Sequence, residues 1–581
     1  VSHERRAGEP ATSPSAPALA LRGGGLADAH ARAIAVKLGV HPRAVRLVHM
    51  RGVHDEAAIA RALVPKLKDL RAPEQMAGFP AALELLMWAH RRRARIGVFG
   101  DYDVDGVCTA AILSGYLDAL GLQVVVRVAH RDSGYGFTVG DADAFAAAGV
   151  QLVLTGDTGT SDVEALGRAR ARGMRTVVID HHQVPEVMPP CDALINPHQQ
   201  GCGFPFKGLC SAGVAFYLCA ALRTKLGADA RAPDPRGWLD LVALATVCDM
   251  MPLVDENRVL VAKGLEQLAR APRPGLRALL ERAEAWGERP IDETTVGFRV
   301  GPRLNAPGRL GSAEPALRLL RARTIAEAGP LAEHVEVLNV QRKAISQRTV
   351  AEALEAVAAD PRASDRRGLC VAHESWSAGV VGLAAGTLAE TLHKPAVVLA
   401  IDAGSGMARG SVRSWGGVDV RAALAACAPC LDRFGGHREA AGLTVHRDRI
   451  AELVDAFDAA CAAASDAVVD PPIEHDGELG LPEVDVALAE GLRALAPWGM
   501  GFPSPLFLGR GTVESTRIHK EQHLGLRLAG DGTRLDAIAF RQASFVPPVG
   551  SRIAFLFAPE LDVFRGQTRV RVVIERLWPD G

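Results

Sequence analysis

Four short runs rich in β-branched residues, IGVF (96–99), LQVVVRV (122–128), QLVLT (151–155) and RTVVID (175–180), are separated by stretches with helical spacing. That alternation predicts a parallel α/β sheet. Between the third and fourth runs, Ser161 and Glu164 of SDVE read as a capping box. Asp162 suits the positive end of the helix dipole there, and Gly173 stands where the C-terminal cap belongs. The unit therefore reads strand 151–155, helix 162–172, strand 175–179. A right-handed crossover of this kind brings the carboxyl ends of neighbouring strands to one edge of the sheet.

Upstream, residues 1 to 25 are rich in Ala, Pro, Ser and Gly and are expected to be disordered, with a helical preamble following to residue 90. Downstream, Leu331, Val335, Leu338, Ile345, Val350, Leu354 and Val357 recur at helical intervals from Pro330 to Ala359, and Asp360-Pro361 ends the pattern. One helix of that length spans roughly 45 Å and bridges two domains; two shorter helices with a break are the alternative. GLCVAH (368–373) and PAVVLAI (395–401) open a second, smaller α/β unit, and VVDPPIEHDGEL reads as a polar link. The tail carries short runs, HLGLRLAG, LDAIAF, SRIAFLF and TRVRVVIERL, in the cadence of a small β-barrel. The predicted division is 1–75, 76–258, 259–360, 361–465 and 466–581.

Composition changes this picture little. A net charge of −1 over 581 residues means that any basic surface is local and balanced elsewhere, as Arg91-Arg92-Arg93 would be. The ten cysteines read as reduced thiols, since neither Cys427-Cys430 nor the Cys191, His198, Cys202, Cys210 group has a second ligand pair at zinc-finger spacing. No apolar run reaches membrane-spanning length and no signal-peptide core opens the chain, so a cytoplasmic location is expected.

The charged residues at the strand ends change the picture more. Asp101, Asp103 and Asp105 of GDYDVDG follow the first strand, Asp157 the third, and Asp180, His181 and His182 the fourth. All lie at the edge where open α/β sheets bind ligands, and Asp249, after the apolar LVALATVC, can reach the same edge. Carboxylates this crowded repel unless cations neutralise them. Two ions can share them: Asp103 and Asp105 each face one, Asp157 is a candidate bridge, and His181 and Asp249 complete one site. Such a pair, about 3.5–4 Å apart, activates water and stabilises a leaving oxygen. The mixed Asp/His set favours Mn²⁺ more than an all-oxygen set would, with Mg²⁺ also open. A calcium loop fits less well, because Ile112 stands where its twelfth-position Glu belongs.

GDYDVDG, TGDTG, VVIDHHQVP and ATVCDMMPL resemble the four motifs of the DHH phosphoesterase superfamily, HESWSAGVVG and FGGHREAAGLT its DHHA1 domain, and LAPWGMGFPSPLF with the tail the oligonucleotide-binding fold of its RecJ family. The resemblance runs in order over most of residues 75 to 581. It implies a parallel-sheet DHH domain, a long helix, a smaller α/β DHHA1 domain and an OB-fold barrel. It also implies a 5′→3′ exonuclease specific for single-stranded DNA, releasing 5′-mononucleotides with two Mn²⁺ or Mg²⁺ ions in recombination and repair. Asp103, Asp105, Asp157, His181 and Asp249 match metal ligands, and Asp180 and His182 match positions behind them or facing a phosphate. Arg131, Arg303 and Arg309 resemble arginines that hold a 5′-phosphate, with surface salt bridges as the alternative; Ser411, Arg413 and His437 resemble the DHHA1 substrate surface.

Three departures stand out. Phe99 replaces a metal-binding His of several relatives, leaving Asp101 or water to serve the first ion; Thr158 replaces an Asn; and Cys248 and Met250 flank Asp249. The resemblance further implies a single-strand-binding protein and a RecQ-type helicase as partners, no membrane association, and a monomer. A DHH phosphodiesterase for short oligonucleotides and an inactive scaffold binding single strands are the alternatives.

Overall fold

The computed structural model describes residues 14–131, 134, 136–227, 231–270, 272–287, 290–465, 472–564 and 567–580. They form two compact units, one of residues 73–249 and 266–470 and one of residues 1–72, 250–265 and 471–581.

The larger unit holds both α/β sheets. Its first sheet has the order Val124–Val128, Ile96–Gly100, Leu152–Gly156, Arg175–Ile179, Ala193–Ile195, with every pair parallel. The four predicted strands are present, each trimmed or extended by a residue or two. The fifth, Ala193–Ile195, is three residues long, too short to carry a pattern of its own. The chain passes from Ile96–Gly100 to one neighbour and then to the other, so the connections diverge there and open a crevice at the carboxyl edge. Helix Val104–Ala119 lies directly on that edge because Gly106 allows it: a Cβ there would stand 2.5 Å from Asp101 N.

The predicted capping box does not form. The helix spans Val163–Ala171 and has no side-chain cap. The Asp162 carboxylate is instead turned to Phe137 N at 2.8 Å and Thr158 Oγ1 at 2.8 Å, tying two loops together. The long helix is single and begins earlier than predicted, running Ile325–Ala359, with the Thr324 hydroxyl accepting from Glu327 N at 3.2 Å. Pro330 lies inside it, not at its start, at the cost of one backbone hydrogen bond. The first half of this helix packs on Pro274–Arg282 and Gly301–Leu310, and the second half on Val381–Leu392 and strand Leu369–His373. That second sheet has the order Arg433–Gly436, Ala440–His446, Met407–Arg413, Ala396–Ile401, Leu369–His373.

The smaller unit contains the predicted barrel, closed in the order Phe507–His519, His523–Gly530, Thr533–Ala539, Gln567–Pro579, Arg552–Phe564. Its core is continuous with that of the N-terminal helices: Ile34, Leu47 and Val48 share it with Leu492, Phe507 and Phe555. Two expectations change here. Residues 1–13 lie outside the described residues, but Leu19–Leu21, within the stretch expected to be disordered, is a strand parallel to Ile473–His475. Residues 468–471 of the predicted link also lie outside, while its remainder is folded: Asp476 is buried and accepts from Arg22 Nη1 at 3.0 Å, Arg51 Nη1 at 3.1 Å and Leu506 N at 2.9 Å. These partners are more than 400 residues away for both arginines, so no local pattern reveals them. No described helix is long and apolar enough to cross a membrane.

Candidate metal centre and anion pocket

Each strand end delivers its acidic group to one place. Asp103 caps helix Val104–Ala119, accepting from Gly106 N at 3.0 Å. Asp105, in the first turn, points inward, and its two oxygens accept from Ala212 N at 2.9 Å and Ser211 N at 2.8 Å, at the start of helix Ser211–Leu226. Asp157 leaves its strand with φ +63°, in the left-handed region, and its Oδ1 accepts from Ser211 Oγ at 3.2 Å. His181 sits among them: its Nε2 is 3.3 Å from Asp157 Oδ1, 3.4 Å from Asp249 Oδ2 and 3.8 Å from Asp105 Oδ2. Two ligand-like groups result, Asp105 with His181 and Asp249, and Asp157 with His181 and His182. Asp101 is buried beside them without belonging to either group.

Asp180 is a scaffold for the turn that carries the histidines. One oxygen accepts from His181 N at 2.8 Å, His182 N at 3.1 Å and the His182 ring at 2.7 Å, and the other from Thr160 N at 3.1 Å. Fully buried Asn196 donates to the His182 carbonyl at 2.8 Å. The sequence reading missed both Asn196 and Ser211; neither stands in a charged cluster, and only the fold brings them in.

Burial, then the charges of Asp105, Asp103, Asp101 and Asp249, holds the Asp157 carboxyl well above the usual range. Burial and Asp103 push Asp101 up to about 8, and burial, Asp105 and Asp103 push Asp249 up to about 8. Asp180 goes the other way: burial opposes ionisation, but the hydrogen bond and charge of His182 hold it far below. Burial alone would lower His182, yet the Asp180 hydrogen bond and charge raise it to about 9. His181 is lowered by burial against the pull of Asp105. Asp101 Oδ1 and Asp249 Oδ2 are buried without a hydrogen-bond donor among the described residues. Carboxylates that cannot ionise together, two of them with orphaned oxygens beside an imidazole, fit divalent cations.

The predicted arginines divide. The Arg131 guanidinium lies 4.3 Å over the Tyr102 ring and its Nε donates to Gly308 O at 2.9 Å. Arg309 Nη1 donates to Gly379 O at 3.2 Å, and burial followed by repulsion from Arg131 and Arg342 pushes its pKa down to about 10. Arg413 donates to Val412 O at 3.0 Å, and its guanidinium and the Ser411 hydroxyl both lie against Gly382. Arg303 differs: both arms of its guanidinium bind Glu336, and Nη1 donates to Arg299 O at 2.7 Å. His437 is exposed on the hairpin between Arg433–Gly436 and Ala440–His446. Of the departures, Phe99 is buried edge-on to Phe137 at 5.2 Å, Thr158 binds Asp162, and Cys248 packs against Gly301.

Comparison with known proteins gives three family matches: the DHH family N-terminal domain over residues 95–246, the DHHA1 domain over 366–463 and the RecJ OB domain over 475–576. The chain is 37% identical to the single-stranded-DNA-specific exonuclease RecJ of Dickeya dadantii over 555 residues, 92% of this chain and 95% of that protein. It superposes on the crystal structure of Thermus thermophilus RecJ in complex with Mn²⁺ with a TM-score of 0.81 at 30% identity, covering 97% of this chain and 80% of that one. With the Mg²⁺ complex of the same protein the TM-score is 0.75 at 29% identity, covering 97% and 79%.

Proposed function

The chain belongs to the RecJ family of single-stranded-DNA-specific exonucleases, and from that premise we propose that it removes 5′-mononucleotides stepwise from the 5′ end of single-stranded DNA by metal-dependent hydrolysis. The observation that carries the reading is the convergence of Asp105, Asp157 and Asp249 on His181 Nε2, within 3.3–3.8 Å, from four separate segments.

Asp105, Asp157, His181 and Asp249 would hold the two Mn²⁺ or Mg²⁺ ions, with Asp157 shared and Asp101 and Asp103 completing the set. When bound, the ions supply Lewis acidity to the phosphate and lower the pKa of water. Burial lowers the His181 pKa, which favours the neutral ring that a cation needs as a ligand. Asp180 fixes the His182 ring through Nδ1, and its hydrogen bond and charge raise the ring to about 9, which favours a protonated ring beside the cluster. A protonated His182 suits the departing 3′-oxygen: water's oxygen bonds to phosphorus, the P–O3′ bond breaks, the leaving oxygen takes the His182 proton, and the proton released by the water restores it. Arg131, Arg309, Ser411 and Arg413 form an anion pocket for the terminal 5′-phosphate, which sets the end that is attacked. His437 adds a contact on the DHHA1 surface. The barrel binds single strand by stacking and charge.

A role in recombination and repair, a cytoplasmic monomer, and contacts with single-strand-binding protein and a RecQ-type helicase complete the proposal. The test is to incubate the chain and Mn²⁺ with single strand, duplex and dinucleotide of matched sequence and chromatograph the products. Mononucleotides from the single strand alone are expected; cleavage confined to the dinucleotide, or tight binding without cleavage, overturns the reading.

A further inference from the structure

A fully buried asparagine interrupts the apolar stripe of the long helix. Asn339 is 0% exposed, in the same stripe as Ala332 and Val335. A buried amide is costly without partners, and its partners here are on its own helix. Its Nδ2 donates to Glu336 Oε1 at 3.3 Å, and its Oδ1 accepts from Arg342 Nη2 at 2.6 Å. Glu336 is in turn held by the Arg303 guanidinium. The chain of contacts thus runs from Arg303 through Glu336 and Asn339 and ends on Arg342.

No carboxylate among the described residues pairs with Arg342 at that end. Its Nε is buried without a hydrogen-bond partner, and it makes no ion pair among the described residues. Its helix packs on Gly301–Leu310, which carries Arg309, and Arg342 stands close enough to Arg309 to repel it, as do Arg131 and Arg413. Among the described residues, the side chains of those three arginines donate to backbone carbonyls, those of Gly379, Gly308 and Val412. None of the four guanidiniums is ion-paired to a carboxylate among the described residues, although Asp101 lies within electrostatic reach of Arg131, and such a group of fixed N–H forks suits a phosphate monoester.

Building on the 5′-end reading above, we propose that Arg342 is a further guanidinium of the pocket for the terminal 5′-phosphate, and that Asn339 and the Arg303–Glu336 pair are positioning residues that aim it. Arg303 then acts through Glu336 and does not touch the phosphate. The pocket selects a terminal monoester over a 5′-hydroxyl end, and Arg342 supplies part of that selection.

The test measures binding of 5′-phosphorylated and 5′-hydroxyl oligonucleotides of one sequence to the full chain by fluorescence anisotropy, in chelator, so that the metal centre does not contribute. Arg342→Gln is expected to weaken the phosphorylated strand by about 10- to 100-fold, the range for one lost hydrogen bond between charged groups, and to leave the hydroxyl strand unchanged. Asn339→Ala moves the ratio the same way by less. If Arg342→Gln does not fold, Arg342→Lys, which keeps the charge but loses the fork, reads the same ratio and is expected to lower it. A variant that keeps the wild-type preference, or weakens both strands alike, overturns the role of Arg342 alone. Wild-type protein that binds both ends equally overturns the 5′-phosphate reading beneath it as well.

Discussion

At Asp157 the backbone itself carries a constraint. A φ of +63° is a conformation that asparagine tolerates and alanine pays about 1–2 kcal/mol to adopt. Asp157→Asn is therefore expected to keep the melting temperature while lowering hydrolysis by at least ~100-fold, the scale of one essential group in proton or metal chemistry; Asp157→Ala loses both activity and stability. Activity within a few-fold of wild type in the folded Asn variant would contradict the role. Burial and mutual repulsion raise Asp101 and Asp249 to about 8, so their contribution to stability is fully present below the unfolded carboxyl pKa and is lost as pH rises from about 4 towards 8. Metal-free protein should accordingly melt at lower temperature at pH 8 than at pH 5, and Mn²⁺ should restore more at pH 8, where it competes with fewer protons. A thermal shift independent of pH would contradict this. The acidic residues of the site were legible because charge at the end of an apolar run is visible in any sequence. Asn196, Ser211 and Arg342 were not, since each owes its place to a neighbour distant in the chain or to a helix register.

Among elements, helix Gly301–Leu310 sits against the GDYDVDG loop through Gly308, where a Cβ would lie 2.2 Å from Tyr102 O. Gly308→Ala must push the two apart. Because Gly308 O also anchors Arg131, the variant should lower kcat/KM by at least about tenfold through misplacement, with a modest drop in melting temperature. Unchanged kinetics would show that the close approach is not needed. Strands and the long helix were readable from periodicity alone. Helix starts were not: SDVE has the letters of a capping box, but the helix begins one residue later, with Asp162 at its cap position and that carboxylate taken by Phe137 N and Thr158, and Pro330 fits inside a helix whose packing outweighs one lost hydrogen bond.

In the molecule as a whole, the order of domains along the chain was legible, and the dependence of the barrel on the N-terminus was not. Ile34, Leu47 and Val48 cover its core, and Asp476 is buried between Arg22 and Arg51. A fragment starting at residue 472 is expected to aggregate, and Asp476→Ala in the full chain should cost about 3–5 kcal/mol, chiefly by leaving buried Arg51 without its carboxylate, since Arg22 keeps Glu474. A fragment that melts cooperatively at the temperature of the intact unit would contradict both.

The measurement closest to the centre of this account is anomalous diffraction at the manganese edge from crystals of the full chain grown with Mn²⁺. Two peaks are expected, both bounded by Asp105, Asp157, His181 and Asp249, with Asp157 touching each. Manganese bound elsewhere, or no peak among these side chains, would contradict the claim that four strand and helix ends converge to hold a pair of cations.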